Sequence, residues 1–244
     1  MISKNLVINV YKKNSEKSEI VTQLLYGDSF KIIKKIGPWL KVKNNFDHYK
    51  GYIKKGNFSI SQKNTHKVYN LFANLYSKPN NKKKIKKKLS FGSKIQILQK
   101  KSSFYKFDNV WIKKKDLKKI NYKTKDNFEN IKKFIGTKYK WGGKHFTGVD
   151  CSGLIQLCCN FNKKFCPRDA KDQIRYFKNR IKIKSIRKND LIFWKDHVAL
   201  AISKKKLIHA YGPKKKTLVM PINTIINRLY KKSNLKVIGV RRVD

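Results

Sequence analysis

The sequence predicts an α+β fold, in which two small β-barrels precede a domain that packs a helix on a meandering sheet. Up to about residue 120, alternating strands are separated by turn residues at intervals of roughly 8 to 12 residues, a spacing that suits small barrels. Beyond residue 124 or so, the apolar residues first follow a helical spacing and then return to alternating strands. A helix combined with such a meander is typical of α+β domains.

The first half of the chain contains an approximate repeat of about 60 residues, which predicts two copies of one module. Each copy begins with a strand that carries a Leu-Tyr or Val-Tyr pair. A polar turn and a Gly with KI-type alternation follow, and an aromatic-bearing strand comes last. We therefore expect domains at residues 1–62, 63–121 and 122–244.

The composition excludes a disordered tail, because hydrophobic residues make up 40% of the 244 residues and aromatic residues 12%. No apolar run lasts the ~20 residues that a membrane span needs. The first residues, MISKNLVINVYKKNSEK, do not resemble a secretory signal, since they lack a cleavage site after their short apolar run. We expect a cytoplasmic protein with no membrane partner.

Charge is the unusual feature of the composition, with 61 Lys and Arg residues against 14 Asp and Glu residues and a net charge of +47. Such an excess attracts nucleic acid, anionic lipid or acidic metabolites. The lysines are spread through every segment, however, which agrees equally with a compositional bias. We expect nucleic acid to bind only through non-specific electrostatics.

The stretch VDCSGLIQLCCNF predicts a helix from Cys151 to about Phe161, capped by Asp150. Cysteine attacks as the thiolate, and a helix N-terminus is expected to lower the pKa of a thiol placed there. This favours Cys151 as the reactive residue. The other cysteines have no CxxC spacing, so we expect no metal and no cofactor, and we interpret them as buried or incidental: Cys158, Cys159 and Cys166.

Two histidines in HVALAISKKKLIHAY supply candidate bases for that thiol. The two alternating runs flank a lysine turn and predict an antiparallel hairpin, in which His197 and His209 share one face. They are direct cross-strand neighbours if the turn is centred near Ser203 and diagonal neighbours if it is centred at Lys204. One imidazole would take the cysteine proton while the other orients the first.

The motifs GTKYKWGGKHFTGVDCSGLIQL, CPRDAKDQ, NDLIFWKDHVALAI and LIHAY resemble, in this order, those of the NlpC/P60 cysteine peptidases. These are papain-like enzymes that cut peptidoglycan stem peptides. The resemblance implies a papain-like catalytic domain with a Cys151–His197–His209 triad. It also implies that Tyr139 supports the oxyanion together with the Cys151 backbone N–H. The alternative interpretation for Tyr139 and for Trp141 is that each is an ordinary aromatic residue of the core.

The N-terminal half is similar to bacterial SH3 modules, through WLKVKNNFDHYKGYI. It departs from their W-x-V…DGYxGW pattern at His48, where Gly is usual, and at Tyr52, where Trp is usual. Two such modules together with the PRDA loop resemble the γ-D-glutamyl-L-diamino acid endopeptidases. The resemblance implies an enzyme that hydrolyses murein peptides with a free N-terminal L-alanine, through a thioester. We expect a monomer.

That subgroup also implies a set of substrate contacts around the nucleophile and in the first SH3-like module. A bound ammonium group needs carboxylate and hydroxyl acceptors, which residues of this set supply. Helix capping, barrel packing and a solvated strand charge are the alternative interpretations for Asp150, Tyr49 and Glu19. The implied contacts are Tyr49, Asp150, Ser152, Asp169, the backbone at Ala170, and Glu19.

Two other functions stay open from the sequence. One is an exported wall hydrolase whose SH3-like modules bind intact peptidoglycan. The other is a nucleic-acid-binding protein that uses the basic barrels, with the third domain as a scaffold.

Overall fold

The computed structural model describes residues 1–243, and its contacts divide the chain into two compact units. The N-terminal unit comprises Met1–Thr124 and the short segment Lys144–Phe146. The C-terminal unit comprises Lys125–Gly143 and the chain from Thr147 onwards. The expected borders at 62/63 and 121/122 stay predictions.

The first part of the N-terminal unit is a five-stranded antiparallel sheet with the strand order β3-β2-β6-β5-β4. Two very short strands, β1 and β7, pair with each other beside it. The strands of this part are β1 (Ile2–Ser3), β2 (Val7–Tyr11), β3 (Ile20–Leu25), β4 (Phe30–Ile36), β5 (Trp39–Asn44), β6 (Lys50–Lys54) and β7 (Phe58–Ser59).

The second part repeats this arrangement, since its five-stranded sheet has the order β10-β9-β14-β13-β12. The two orders correspond strand for strand once β11, which belongs to another sheet, is left out of the count, and this agrees with the predicted internal repeat. A three-stranded sheet, β11-β8-β15, accompanies it. The strands are β8 (His66–Val68), β9 (Phe72–Tyr76), β10 (Lys84–Ser90), β11 (Lys94–Ile95), β12 (Gln99–Lys101), β13 (Phe104–Phe107), β14 (Val110–Lys113) and β15 (Leu117–Lys119).

Each copy has its own small apolar core, built by alternation along the strands. In WLKVKN, Leu40 and Val42 are buried while the lysines between and after them point away from the core. Phe30, which is fully buried, stands in the middle of the first core, and Ile112 and Leu89 take that place in the second. His48, which replaces the usual Gly, has a φ of 59°, in the left-handed region that glycine adopts without strain.

The C-terminal unit is built on a six-stranded antiparallel sheet with the order β18-β23-β19-β20-β21-β22. Helix α3 packs on the sheet through Ile222, Ile225 and Leu229, which join Trp194 and Leu207 in one apolar core. The remaining elements of the chain are β16 (Lys144–His145), β17 (Gly148–Val149), α1 (Cys151–Phe161), α2 (Ala170–Tyr176), β18 (Arg180–Ile181), β19 (Asp190–Trp194), β20 (His197–Ala201), β21 (Lys206–Tyr211), β22 (Lys216–Pro221), α3 (Ile222–Ser233) and β23 (Gly239–Arg242).

These elements confirm the predicted α+β class and, in particular, the helix Cys151–Phe161. The helical spacing around NFENIKKFIG gives a 3-10 helix, Glu129–Phe134, rather than an α-helix. This segment buries Ile131 and Phe134 in less than two turns and ends before Gly136, which has a φ of 82°. Within residues 1–243, no helix is both long and apolar enough to cross a membrane.

Candidate active site

Cys151 is the first residue of α1, and its position is fixed by the residue before it. The Asp150 carboxylate caps the helix by accepting a hydrogen bond from the Gly153 backbone N–H at 2.7 Å. Such a cap satisfies one of the N–H groups that the first turn leaves unpaired. The cap thus sets where α1 begins, and it places the thiol, 5% exposed, at the helix N-terminus.

The predicted lowering of the Cys151 pKa is wrong. Burial first, and then the Asp150 carboxylate, raise the pKa of this thiol to about 12. The backbone N–H groups of Val198 and Ser152 hydrogen-bond to the sulfur and act in the opposite direction, as does the Arg168 guanidinium, but they do not prevail. At neutral pH the resting site therefore holds a thiol.

The two predicted histidines meet on one face of the hairpin. The register pairs Leu200 with Ile208, which centres the turn at Lys204. Of the two predicted arrangements, the one with diagonal neighbours is therefore confirmed. His197 Nε2 lies 2.9 Å from His209 Nδ1. Since Val198 donates its N–H to the thiol, the same strand that carries His197 also runs past Cys151.

Both imidazoles are held neutral by their surroundings. Burial lowers the pKa of His197 to about 4. Burial and then the neighbouring His197 hold the pKa of His209 well below its ordinary value, so His209 stays neutral and its Nδ1 can accept a hydrogen bond. The Tyr211 ring stacks on His209 with centroids 4.7 Å apart and fixes its plane.

Tyr139, which lies twelve residues before Cys151 in the sequence, is close enough to Cys151 for the two side chains to interact electrostatically. Its backbone is held by a bridge to Val149 and by the N–H bond to Lys215 O at 2.9 Å. Burial, and then the charges of Cys151 and Asp150, raise the pKa of the phenol. The hydroxyl therefore keeps its proton and can donate it in a hydrogen bond beside the sulfur.

Arg168, which no sequence pattern singled out, occupies the centre of a buried network. Its guanidinium, 2% exposed, binds both oxygens of Asp150 at 3.0 and 2.5 Å and donates to Ser152 Oγ at 3.0 Å. The Asp150 carboxylate is thus neutralised from within the fold. An ammonium group of a substrate would compete with Arg168 for it. The PRDA motif contained this arginine, but its spacing gave no indication of its partner.

The rest of the PRDA loop leads into α2, which begins at Ala170. Asp169 precedes it as the N-cap residue, half-exposed, and its carboxylate does not cap the helix. Gln173 ties this helix to the nucleophile's helix, because its side-chain amide donates to Ser152 O at 3.0 Å and to Pro167 O at 2.9 Å. Asp169, Ala170 and Ser152 thus belong to one hydrogen-bonded assembly.

Tyr49 and Glu19 lie in the N-terminal unit. The Tyr49 backbone N–H binds Asp47 Oδ1 at 3.0 Å in the loop before β6. Glu19 is exposed and forms an ion pair with Lys12 at 3.2 Å. Their contact with substrate stays a prediction.

Trp141 and the three cysteines other than Cys151 can each be compared with their predicted positions. Trp141 is 52% exposed, so its interpretation as a core residue is wrong. The cysteines interpreted as bystanders are buried thiols, and burial raises the pKa of Cys158 well above its ordinary value. Of the four cysteines, Cys151 is the one that begins a helix.

Two family models match this chain. The NlpC/P60 family model matches residues 136–238, which contain the thiol, both histidines and Tyr139. The bacterial SH3 domain model matches residues 5–59, which contain the first of the two repeated modules.

Curated relatives and a solved structure resemble most of the chain. It is 26% identical to a dipeptidyl-peptidase 6 of Lysinibacillus sphaericus, over 84% of this chain and 85% of that protein. It is also 26% identical to a gamma-D-glutamyl-L-lysine dipeptidyl-peptidase of Bacillus cereus, over 86% of this chain and 72% of that one. The crystal structure of an NlpC/P60 family protein from Bacillus cereus shares the fold, with a TM-score of 0.76 at 24% identity, covering 91% of this chain and 82% of that chain. The chain therefore contains an NlpC/P60 domain, preceded in the sequence by a bacterial SH3 domain.

Proposed function

We propose that this peptidase hydrolyses the bond between the D-glutamyl γ-carboxyl and the L-diamino acid of murein-derived peptides that have a free N-terminal L-alanine. The names of two relatives that align with more than four-fifths of the chain support this specificity. The roles proposed for the catalytic residues rest on the contact of His197 Nε2 with His209 Nδ1 at 2.9 Å. Recycling of free peptides and a cytoplasmic location belong to the same proposal.

The nucleophile is generated at the moment of attack, because a thiol with a pKa of about 12 and an imidazole with a pKa of about 4 form a neutral pair. His197 donates its Nε2 hydrogen to His209 Nδ1, which leaves Nδ1 of His197 to take the thiol proton. The sulfur attacks the γ-carbonyl carbon of D-Glu as this proton leaves. The Cys151 backbone N–H and the Tyr139 hydroxyl stabilise the resulting oxyanion.

The intermediate collapses when the bond from carbon to the amine of the diamino acid breaks. The His197 imidazolium gives its proton to that amine, which departs, and a thioester remains on Cys151. Water then loses a proton to His197 and attacks the thioester carbon. The sulfur leaves, regains its proton from His197, and L-Ala-D-Glu is released.

Recognition of the free amino end falls mainly to Asp169 in this proposal. Asp150 already accepts two bonds from Arg168 and one from Gly153, so its charge is balanced within the fold. Asp169 immediately precedes α2 and is half-exposed. Ser152 and the backbone at Ala170 add polar atoms, while Tyr49 and Glu19 are proposed contacts from the N-terminal unit.

Replacement of the nucleophile is expected to remove activity without removing the fold. Cys151→Ala lowers kcat on L-Ala-γ-D-Glu-L-Lys by about 10⁴-fold or more, because no other residue can form the thioester. The control is Cys159→Ala on the same helix, which is 1% exposed and has no role in the mechanism. Activity retained in the Cys151 variant would refute the cysteine mechanism.

Replacement of His209 distinguishes an orienting acceptor from simple packing. His209→Ala is expected to lower kcat by about 10²- to 10⁴-fold, since His197 loses the group that sets its tautomer. His209→Asn offers a carbonyl oxygen to the same N–H, so it recovers at least about tenfold over the alanine variant, as in Cys-His-Asn sites. Equal kcat values for the two variants would contradict the acceptor role.

The pH dependence of kcat/KM follows from the site's pKa values. The base must be neutral, and burial lowers the pKa of His197 to about 4, so activity falls only as the pH decreases through that region. On the alkaline side, kcat/KM falls as the substrate's α-ammonium deprotonates, near about pH 8. If kcat/KM instead falls around the ordinary pKa of histidine as the pH decreases, the pKa of His197 is not lowered by its surroundings.

The free amino end is tested with paired carboxylate variants. Asp169→Asn is expected to raise KM for the tripeptide about 10- to 100-fold, the effect of losing one charge-assisted hydrogen bond. Asp172→Asn, two residues into the same helix, leaves KM unchanged. If the wild-type enzyme hydrolyses the N-acetylated tripeptide or intact sacculi as fast as the free tripeptide, the proposed requirement for a free amino end is rejected. The proposed peptidase activity is retained in that case.

A further inference from the structure

A small cavity of about 240 Å³ lies at the end of α2, and basic side chains dominate its lining. Four cationic residues line it, from α2, from the chain that follows α2 into β18, and from β23. Phe177 and Ile174 form the apolar part of its wall. The basic lining residues are Arg175, Lys178, Arg180 and Arg241.

Within the described residues, acidic groups scarcely balance this charge. The single ion pair of the cluster joins Arg175 to Asp172 at 3.9 Å, at the limit of an exposed contact. Lys178, Arg180 and Arg241 have no carboxylate partner among residues 1–243. The cavity therefore has a surplus of positive charge at close range.

The Arg241 guanidinium is held in one orientation by the backbone. Its Nε donates to Ile174 O at 3.1 Å and its Nη1 donates to Val240 O at 3.0 Å. Gly239 leaves the space for it, because a Cβ at that position would lie 2.7 Å from Nη1. Nη2 has no hydrogen-bond partner among the described residues, so a donor remains on a guanidinium that is already ordered.

A second arginine stands directly opposite the first. The register of β18 and β23 pairs Arg180 with Arg241, and like charges at such a cross-strand position destabilise a sheet. Burial and then the Arg180 charge lower the pKa of Arg241. A bound anion would relieve this repulsion.

The distribution of arginine separates this cluster from the general excess of lysine. Seven of the 61 Lys and Arg residues are arginine, and all seven lie between residues 168 and 242. Arg168 and Arg242 each bind both oxygens of a buried aspartate, which needs a planar fork. Three of the other five line this one cavity.

We propose that this cavity binds the phosphate group of a phosphate ester or inorganic phosphate, at a site separate from the candidate catalytic residues. A phosphate presents several acceptor oxygens on one doubly charged centre. Guanidinium forks bind such a group through two parallel hydrogen bonds, and Lys178 adds a point charge. Burial of the cavity floor by Phe177 strengthens these contacts relative to those at fully exposed lysines.

The test follows the arginine Nε–H signals of the full-length protein by NMR during titration with inorganic phosphate, at constant ionic strength maintained with chloride. The Arg180 and Arg241 signals are expected to shift with saturation. Arg180→Gln weakens this binding at least tenfold, as does Arg241→Lys, which keeps the charge and loses the fork. Arg187→Gln, an exposed arginine outside the cavity, leaves it unchanged. As a control for folding, each variant is expected to have the same peptidase kcat/KM as wild type when phosphate is absent.

The same variants identify the source of the phosphate group. Glycerol 3-phosphate represents soluble esters, and phosphatidylglycerol vesicles represent lipid headgroups. If wild type binds one of these probes and Arg180→Gln does not, the result supports the site. The probe that binds then identifies the source of the phosphate group. Shifts of similar size at all seven arginines, or phosphate binding equal in Arg180→Gln and wild type, would overturn the proposal, because both would describe a diffuse ion atmosphere.

Discussion

The Asp150 carboxylate is the group on which the site's geometry depends. It caps α1 and thereby fixes the first helical residue as Cys151. It also binds the buried Arg168 through both oxygens, which fastens the PRDA loop to the start of α1. Because Asp150 is adjacent to the nucleophile, the same carboxylate raises the pKa of the thiol. One side chain thus connects helix geometry, loop position and the chemistry of the sulfur.

Burial determines the protonation states of the candidate catalytic groups. The thiol and the two imidazoles are all in their neutral forms, since removal from water disfavours each charged form. In the proposed mechanism, charge therefore develops only as the sulfur attacks, where the contact between His197 and His209 and the N–H groups around the sulfur can stabilise it. A site of this kind gains more from preorganised donors than from a preformed ion pair.

Sequence patterns predicted the features that depend on local chain geometry. The cap and start of α1 follow from Asp-Cys-Ser-Gly before an apolar run, and the even spacing of His197 and His209 required a shared strand face. The register of their hairpin was not predictable, because the lysine turn accommodates either centre, and the structure selects Lys204. The partner of Arg168 could not be predicted, because its long side chain reaches Asp150, eighteen positions away, only through the tertiary fold. The spacing of apolar residues at 129–134 predicts a helix, but so short a segment does not distinguish a 3-10 helix from an α-helix.

The most direct test of the neutral pair is the ultraviolet absorbance of the thiolate, measured as the difference between wild type and Cys151→Ala across pH. The other three cysteines contribute equally to both proteins and cancel. The account predicts no thiolate step for Cys151 between about pH 5 and pH 9, because burial and Asp150 hold the pKa of the thiol near 12. A thiolate that forms at or below neutral pH would contradict it and would establish a resting ion pair with His197.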